Sequence, residues 1–214
     1  MSRSLRTLAV GTVAAAAALG GVLAAAGPAV AAAPPGTFEI DYDASGASHL
    51  AKPNTDVALG PTTLVSYISD SGDGTFTGSL PLPTTTASFK AFGFVPLSAK
   101  VSFVPAGPVT GTLSTTVPTT VTATAKYYIK LTDAKAAGLP AFVGDKCQTA
   151  APVTIPVATP AGEAFDLTNG GTLAGTYTIG DFANCGLTTA LINNQVPGAG
   201  NTVRFTVSNG RFVG

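Results

Sequence analysis

The 214-residue chain has no tryptophan, one histidine, one methionine and two cysteines, and only 10% of it is charged. Each scarcity removes a class of function. Sugar-binding β modules stack sugars on aromatic rings, and without tryptophan that task would fall to Tyr42, Tyr67, Tyr127, Tyr128 and Tyr177. Any Ser-His-Asp arrangement must use His49 as its base, and no G-x-S-x-G elbow is present. His49 therefore reads as a loop or strand-end residue. An ordinary zinc site needs more ligands than one histidine and a cysteine pair can give. No dense Lys/Arg run exists, which argues against a nucleic-acid partner. No N-x-S/T sequon is present either, although the Thr/Pro-rich stretches "LPLPTTTAS" and "LSTTVPTT" are candidate O-glycosylation sites. No catalytic residue, metal or cofactor is expected.

The amino terminus supplies what the rest lacks, a long apolar run. Arg3 and Arg6 precede it, it is rich in alanine and glycine, and Ala29 and Ala31 stand at the spacing of an A-x-A cleavage site. This predicts a secretory signal peptide over 1–31, cut after Ala31, rather than a retained anchor. Loss of Arg3 and Arg6 leaves nine Lys and Arg against eleven Asp and Glu, a net charge of about −2. No later segment is long and apolar enough to cross a bilayer as a helix. The expectation is a secreted protein, extracellular or associated with the cell wall. Outside the cell, Cys147 and Cys185 most simply form one disulfide. It closes a loop of about 39 residues, worth roughly 4 kcal/mol in the chain-entropy view.

The body of the chain alternates with period two. "FEIDYD" sets Phe38, Ile40 and Tyr42 against Glu39, Asp41 and Asp43, and "TVRFTV" sets Val203, Phe205 and Val207 against Thr202, Arg204 and Thr206. "TLVSYIS", "AKVSFV", "TVTATAKYYIKL" and "PVTIPV" are further β-branched or aromatic runs, punctuated by glycine and proline. The pattern predicts an all-β fold of antiparallel strands, packed as one or more β-sandwiches. "DAKAAGL" at 133–139 and "LTTALINN" at 187–194 are the helix-compatible segments, both too short to set the fold class.

Two halves of the chain resemble each other. "FEIDYDASGASHL" aligns without a gap on "YYIKLTDAKAAGL", "PTTLV" on "PVTIP", "GTFTGSLPLP" on "GTLAGTYTIG", "FGF" around Gly93 on "CGL" around Gly186, and "KVSFV" on "TVRFTV", in the same order. This predicts a duplicated β unit, with 32–113 as the first copy and 114–214 as the second, disulfide-bearing copy. The alignment bears on "DSGDGTFTG" at 70–78, which has the look of a calcium loop. Its counterpart "TNGGTLAG" keeps the turn glycines and loses the aspartates, so a hairpin turn is expected. An EF-type register also leaves Leu80 where a bidentate acid is needed.

Glu39, Asp41 and Asp43 read as the solvated face of a strand, not as the paired carboxylates of a glycosidase. "AFGFVPL" at 91–97 is apolar on both faces and reads as a central strand covered on both sides. Its alternative is a surface that meets a lipid or a partner, with Phe89, Phe92, Phe94 and Phe103 as the candidate apolar ligand surface. The Ala-rich leader, the Gly/Thr/Pro-rich strands and the late "NCGL…INNQVPGAGNTV" segment together resemble small secreted all-β proteins of actinobacteria, a group of unassigned function. The resemblance implies export and a β fold and brings no catalytic residues with it. The leading expectation is a non-enzymatic module with a binding or structural role, its partner a component of the cell envelope. A carrier of a lipid or other apolar small molecule is the first alternative. A hydrolase with an unrecognised site is the second, and it requires a serine and an acid within hydrogen-bond reach of His49.

Overall fold

The structure, a computed structural model, describes residues 33–91 and 93–213. The expected signal peptide at 1–31 and the side chain of Phe92 lie outside the described residues. The period-two runs all become strands. In the first half these are β1 (Thr37–Leu50), β2 (Thr55–Ser69), β3 (Thr75–Ser79), β4 (Thr85–Ala91), β5 (Val95–Pro105) and β6 (Val109–Leu113). The second half supplies β7 (Val121–Ala136), β8 (Leu139–Pro140), β9 (Gln148–Thr149), β10 (Val153–Ala158), β11 (Gly171–Ile179), β12 (Phe182–Ala183) and β13 (Gly198–Val213). One short helix, α1 (Thr189–Gln195), follows a 3-10 turn at Gly186–Thr188.

All pairings are antiparallel, and the hydrogen-bonded path β1-β2-β3-β6-β7-β10-β11-β13 returns to β1. The all-β expectation is met, but the strands do not stack as a sandwich. Eight of them close on themselves as a barrel, and the remaining strands are attached outside that ring. Chain order and barrel order coincide, so the ring is a meander with insertions. The β4–β5 hairpin is inserted between β3 and β6, β8 and β9 between β7 and β10, and β12 with α1 between β11 and β13.

Four ring strands come from 33–113 and four from 114–213, and their pairing is alike. The first strand of each half, β1 or β7, pairs with the second strand of its own half and the last strand of the other. Closure demands sharp coiling, which β-bulges and glycines allow. A Cβ on Gly78 of β3 would collide with the Val65 carbonyl of β2, and one on Gly175 of β11 with the Pro156 carbonyl of β10. These are the glycines that the internal alignment superposes. Its match of "KVSFV" to "TVRFTV" fails, because β5 lies outside the ring and β6 holds in the first half the place that β13 holds in the second. Phe76 lies directly across from Gly111 and Phe205 across from Gly46, and a Cβ at either glycine would meet that ring. The aromatic side chain covers the backbone that glycine leaves bare.

Alternation is clean along β7 and β13. On β7, Val121, Ala123, Tyr127, Ile129 and Leu131 are buried, while Thr122 and Lys126 between them are exposed. On β13, Val203, Phe205 and Val207 are buried and Thr202, Arg204 and Thr206 exposed. Apolar inside and polar outside is the arrangement of a barrel in water, the reverse of a channel-type membrane barrel. No helix among the described residues is long and apolar enough to cross a membrane.

Two local expectations fail. "DAKAAGL" is not helical: β7 runs through Ala136, and Ala137 and Gly138, both at positive φ, turn the chain into β8. Pairing of Leu97 with Ala136 and Ser98 with Lys135 outweighs the helix preference of alanine. "AFGFVPL" is not a central strand either. Gly93, at φ 81°, turns it into the tip of the β4–β5 hairpin. The helix-compatible segment at 187–194 does become α1, shifted by a residue or two.

Candidate functional site

The barrel encloses an apolar cavity of about 170 Å³. Leu59 and Ile68 of β2, Ile129 of β7, Leu173 of β11 and Val203 of β13 form part of its wall. Space remains because several inward positions carry small residues. Ala44, Ala87 and Ala123 face the same interior and are buried. Where an inward row offers alanine in place of leucine or phenylalanine, side chains from opposite strands do not meet. An engineered apolar cavity of about 150 Å³ stays dry and takes up benzene, so this volume suits a small apolar guest.

Few polar groups reach the wall, and most are engaged. The Tyr177 hydroxyl lies 2.6 Å from Ser48 Oγ, and Ser48 donates to the Thr202 carbonyl at 3.0 Å, so Tyr177 is the donor of the first bond. Tyr42 donates to the Leu167 carbonyl at 2.9 Å and Tyr127 to the Leu80 carbonyl at 2.7 Å. Burial pushes the Tyr42 phenol up to about 12, assisted by the negative charge of Asp166. Burial alone raises Tyr127 to about 12. Tyr177 is also raised by burial, against the opposing effect of its bond with Ser48. All three are neutral donors at physiological pH. Ser66 is also buried and lines the cavity.

The loop at 159–170 closes the lower end. Phe165 stands edge-on to Tyr42 with ring centroids 5.9 Å apart, and its N–H donates to the Thr119 carbonyl at 2.8 Å. The upper end is covered by α1, whose Ile192 and Val196 pack on the core. Asn193 holds α1 in place: its Oδ1 accepts from the Phe182 N–H at 2.8 Å and its Nδ2 donates to the Phe182 carbonyl at 3.0 Å. The expected disulfide is present, with Cys147 and Cys185 fully buried and their Cα atoms 4.3 Å apart. It ties the β9 segment to the turn that precedes α1. Half-exposed Leu97, Ala136, Ala141, Thr188 and Leu191 line the upper part of the cavity, where it approaches solvent.

The four candidate phenylalanines separate. Phe89 and Phe103 line the cavity, and Phe103 meets Tyr127 edge-on at 6.2 Å. Phe94 points outward, 75% exposed, and Phe92 lies outside the described residues. His49 sits at the end of β1 with Nδ1 2.8 Å from Asp56 Oδ1, half-exposed and away from the cavity. No serine hydroxyl hydrogen-bonds it among the described residues. The loop at 70–74 is a turn: Asp73 accepts from the Thr75 N–H at 2.8 Å and hydroxyl at 2.7 Å, which holds its carboxyl below the usual range. Among the described residues no cluster of acids, histidines or cysteines could hold a metal ion.

The acidic row is only partly solvated. Asp43 is exposed and pairs with Arg211 at 2.9 Å, but Glu39 is buried opposite Tyr67 and Val213, and Asp41 keeps a buried, unpartnered Oδ1. The strand pattern identifies inward Tyr42, Tyr127 and Tyr177 as core residues. It holds no sign that Ser48, Ser66 and the inward alanines share one space, because those positions meet only through ring closure.

No family model matches this chain, no curated protein is significantly similar to it, and no solved structure matches it significantly.

Proposed function

We propose that this protein is an exported, non-enzymatic carrier that holds a small apolar molecule inside its barrel. One observation carries the reading: a contiguous apolar cavity of about 170 Å³ inside a closed eight-stranded ring whose outer face is polar. Barrels of eight strands either fill their interior with side chains or keep room for one small ligand. The inward alanines put this one in the second group, and Ser66 is among the few polar side chains on the wall that a guest could meet. The expected guest is the size of a monocyclic aromatic or a short alkyl segment.

Export through the leader at 1–31 fits the disulfide, which persists in oxidising surroundings. The matched pairing of the two halves favours origin by duplication of a four-strand unit. The leading expectation from sequence is a binding or structural role at the envelope, and a purely structural role leaves the cavity without a use. The hydrolase reading has His49 and Asp56 in contact at 2.8 Å, but neither lines the cavity.

Native and denatured mass spectrometry of the protein secreted into its own culture medium tests the proposal. The expected result is an additional mass that is lost on denaturation, on a chain that begins at Ala32. Purified protein should also take up benzene- to naphthalene-sized hydrocarbons, and Ala123→Leu should weaken that uptake at least tenfold. Identical masses in both runs, with no hydrocarbon uptake, would overturn the carrier reading.

A further inference from the structure

Four of the large exposed apolar side chains gather at one end of the barrel, around the upper end of the cavity. Phe94 is 75% exposed, Leu139 72%, Phe142 86% and Leu187 fully exposed. They stand on three insertions, the β4–β5 hairpin, the β7–β8 hairpin with the loop after it, and the 3-10 turn before α1. Backbone contacts join these insertions into one rim. The Ala137 N–H donates to the Pro96 carbonyl at 2.8 Å, and Leu97 pairs with Ala136. A Cβ on Gly186 would touch the Phe142 carbonyl at 3.5 Å, and the Cys147–Cys185 bond ties the same two loops. Leu97, Ala136, Ala141 and Thr188, which line the cavity, each lie within three residues of one of these four side chains in sequence. The apolar rim therefore surrounds the approach to the interior.

Charge follows the same axis. Lys90, Lys135 and Lys146 are exposed on the rim insertions, and Lys52 is exposed in the adjacent β1–β2 turn. Asp145, Asp181 and Asp56, the last in contact with His49 at 2.8 Å, are the acids interspersed with them, while Asp133 is taken up by Lys100 at 2.6 Å. The opposite end carries Glu39, Asp41, Asp43, Asp70, Asp73 and Asp166. The exposed apolar residues there are Val117, Val213 and Phe212, the last stacked on Phe38 with ring centroids 6.2 Å apart.

We propose that the rim docks on an anionic lipid surface and that the guest passes between bilayer and cavity there. The passage of a guest rests on the carrier reading; the docking does not. Isolated apolar side chains on hairpin tips, with lysines between them, suit the boundary between lipid headgroups and acyl chains. A flat protein partner would be met by a contiguous patch instead. Lysines beside the tips draw the rim toward anionic headgroups, and the acidic far end is repelled by the same surface, so the molecule is oriented before contact. A small apolar molecule dissolved in the bilayer then enters the cavity without crossing water.

The test is co-flotation of the mature, disulfide-bonded protein with vesicles of equal parts phosphatidylglycerol and phosphatidylcholine, against pure phosphatidylcholine. The protein should float with the anionic vesicles, with at least tenfold weaker association in 0.5 M salt and on neutral vesicles. Phe94→Ser combined with Phe142→Ser and Leu187→Ser should reduce association at least tenfold while leaving the melting temperature unchanged, since these side chains are already in water. Val117→Ser, at the acidic end, should have no effect. No flotation, equal flotation on neutral vesicles, or loss with Val117→Ser but not with the rim variant would each overturn the proposal. Vesicle association needs no guest, so a protein that holds hydrocarbon but ignores vesicles loses the docking proposal and keeps the carrier reading.

Discussion

The two halves of the barrel contribute the same four-strand pattern but secure their insertions differently. In the first half, the inserted β4–β5 hairpin is held by strand pairing: β5 runs along β7 from Leu97↔Ala136 to Pro105↔Tyr127. In the second half, β12 pairs with β9 over two residues only, and α1 is seven residues long. The disulfide supplies there what the ladder supplies in the first half. A short helix without a side-chain cap is not stable by itself. A covalent tie is thus needed where backbone pairing runs out, and both insertions then serve the same end of the barrel.

The strongest way to break this comparison is to remove the tie. Reduction, or replacement of both cysteines by alanine, should cost about 4 kcal/mol, measured by urea denaturation. Hydrogen exchange should show the protection lost first at β12 and α1, with β4 and β5 little changed. Uniform loss over both insertions would mean that the halves are not secured independently.

Next in size come the matched glycines. Gly175→Ala and Gly78→Ala each push a methyl group against a neighbouring carbonyl and should destabilise by about 3 kcal/mol, at the upper end of overpacking costs. Similar losses in denaturant midpoint for the two variants would support equivalent positions. A neutral Gly78→Ala beside a damaging Gly175→Ala would show that the two closures differ.

The smallest effect sharpens the comparison through pH. Tyr42 in the first half and Tyr127 in the second are both raised from 10.0 to about 12 by burial. Each binds its proton more tightly folded than unfolded, so the stabilisation is whole below pH 10 and is lost as pH rises toward 12. Alkaline unfolding should begin in that window, followed by circular dichroism. Tyr42→Phe or Tyr127→Phe should each cost about 1 kcal/mol at neutral pH, for the lost bond to a backbone carbonyl. Each should also flatten the alkaline slope.

Much of this was legible in the sequence. Period-two alternation in "FEIDYD" and "TVRFTV" located β1 and β13 and assigned their inward faces, because strand geometry is a local property. The pairing of Cys147 with Cys185 followed from there being only two cysteines. Closure was not legible. A sandwich and a barrel present the same alternation, and the contact of β10 with β7 that completes the ring is written in no short stretch. The cavity escaped for the same reason: alanines at 44, 87 and 123 read as ordinary small strand residues until the ring brings them to face one another. "AFGFVPL" misled because its apolar run suggests burial, whereas Gly93 turns the chain and sends Phe94 into solvent.

Ring closure also bears on how the molecule behaves in a crowd. An open sheet ends in a row of unpaired amides and carbonyls that a second copy can extend, and the process repeats into fibres. Here the ring strands are paired on both sides, and the outermost long strand is β4. It is seven residues long, carries exposed Lys90, and its Ser88 carbonyl is already occupied by the Thr55 hydroxyl at 2.8 Å. That bond removes one acceptor from the strand edge a second copy would have to extend. A chain made largely of strands keeps to itself here chiefly by closing its sheet into a ring.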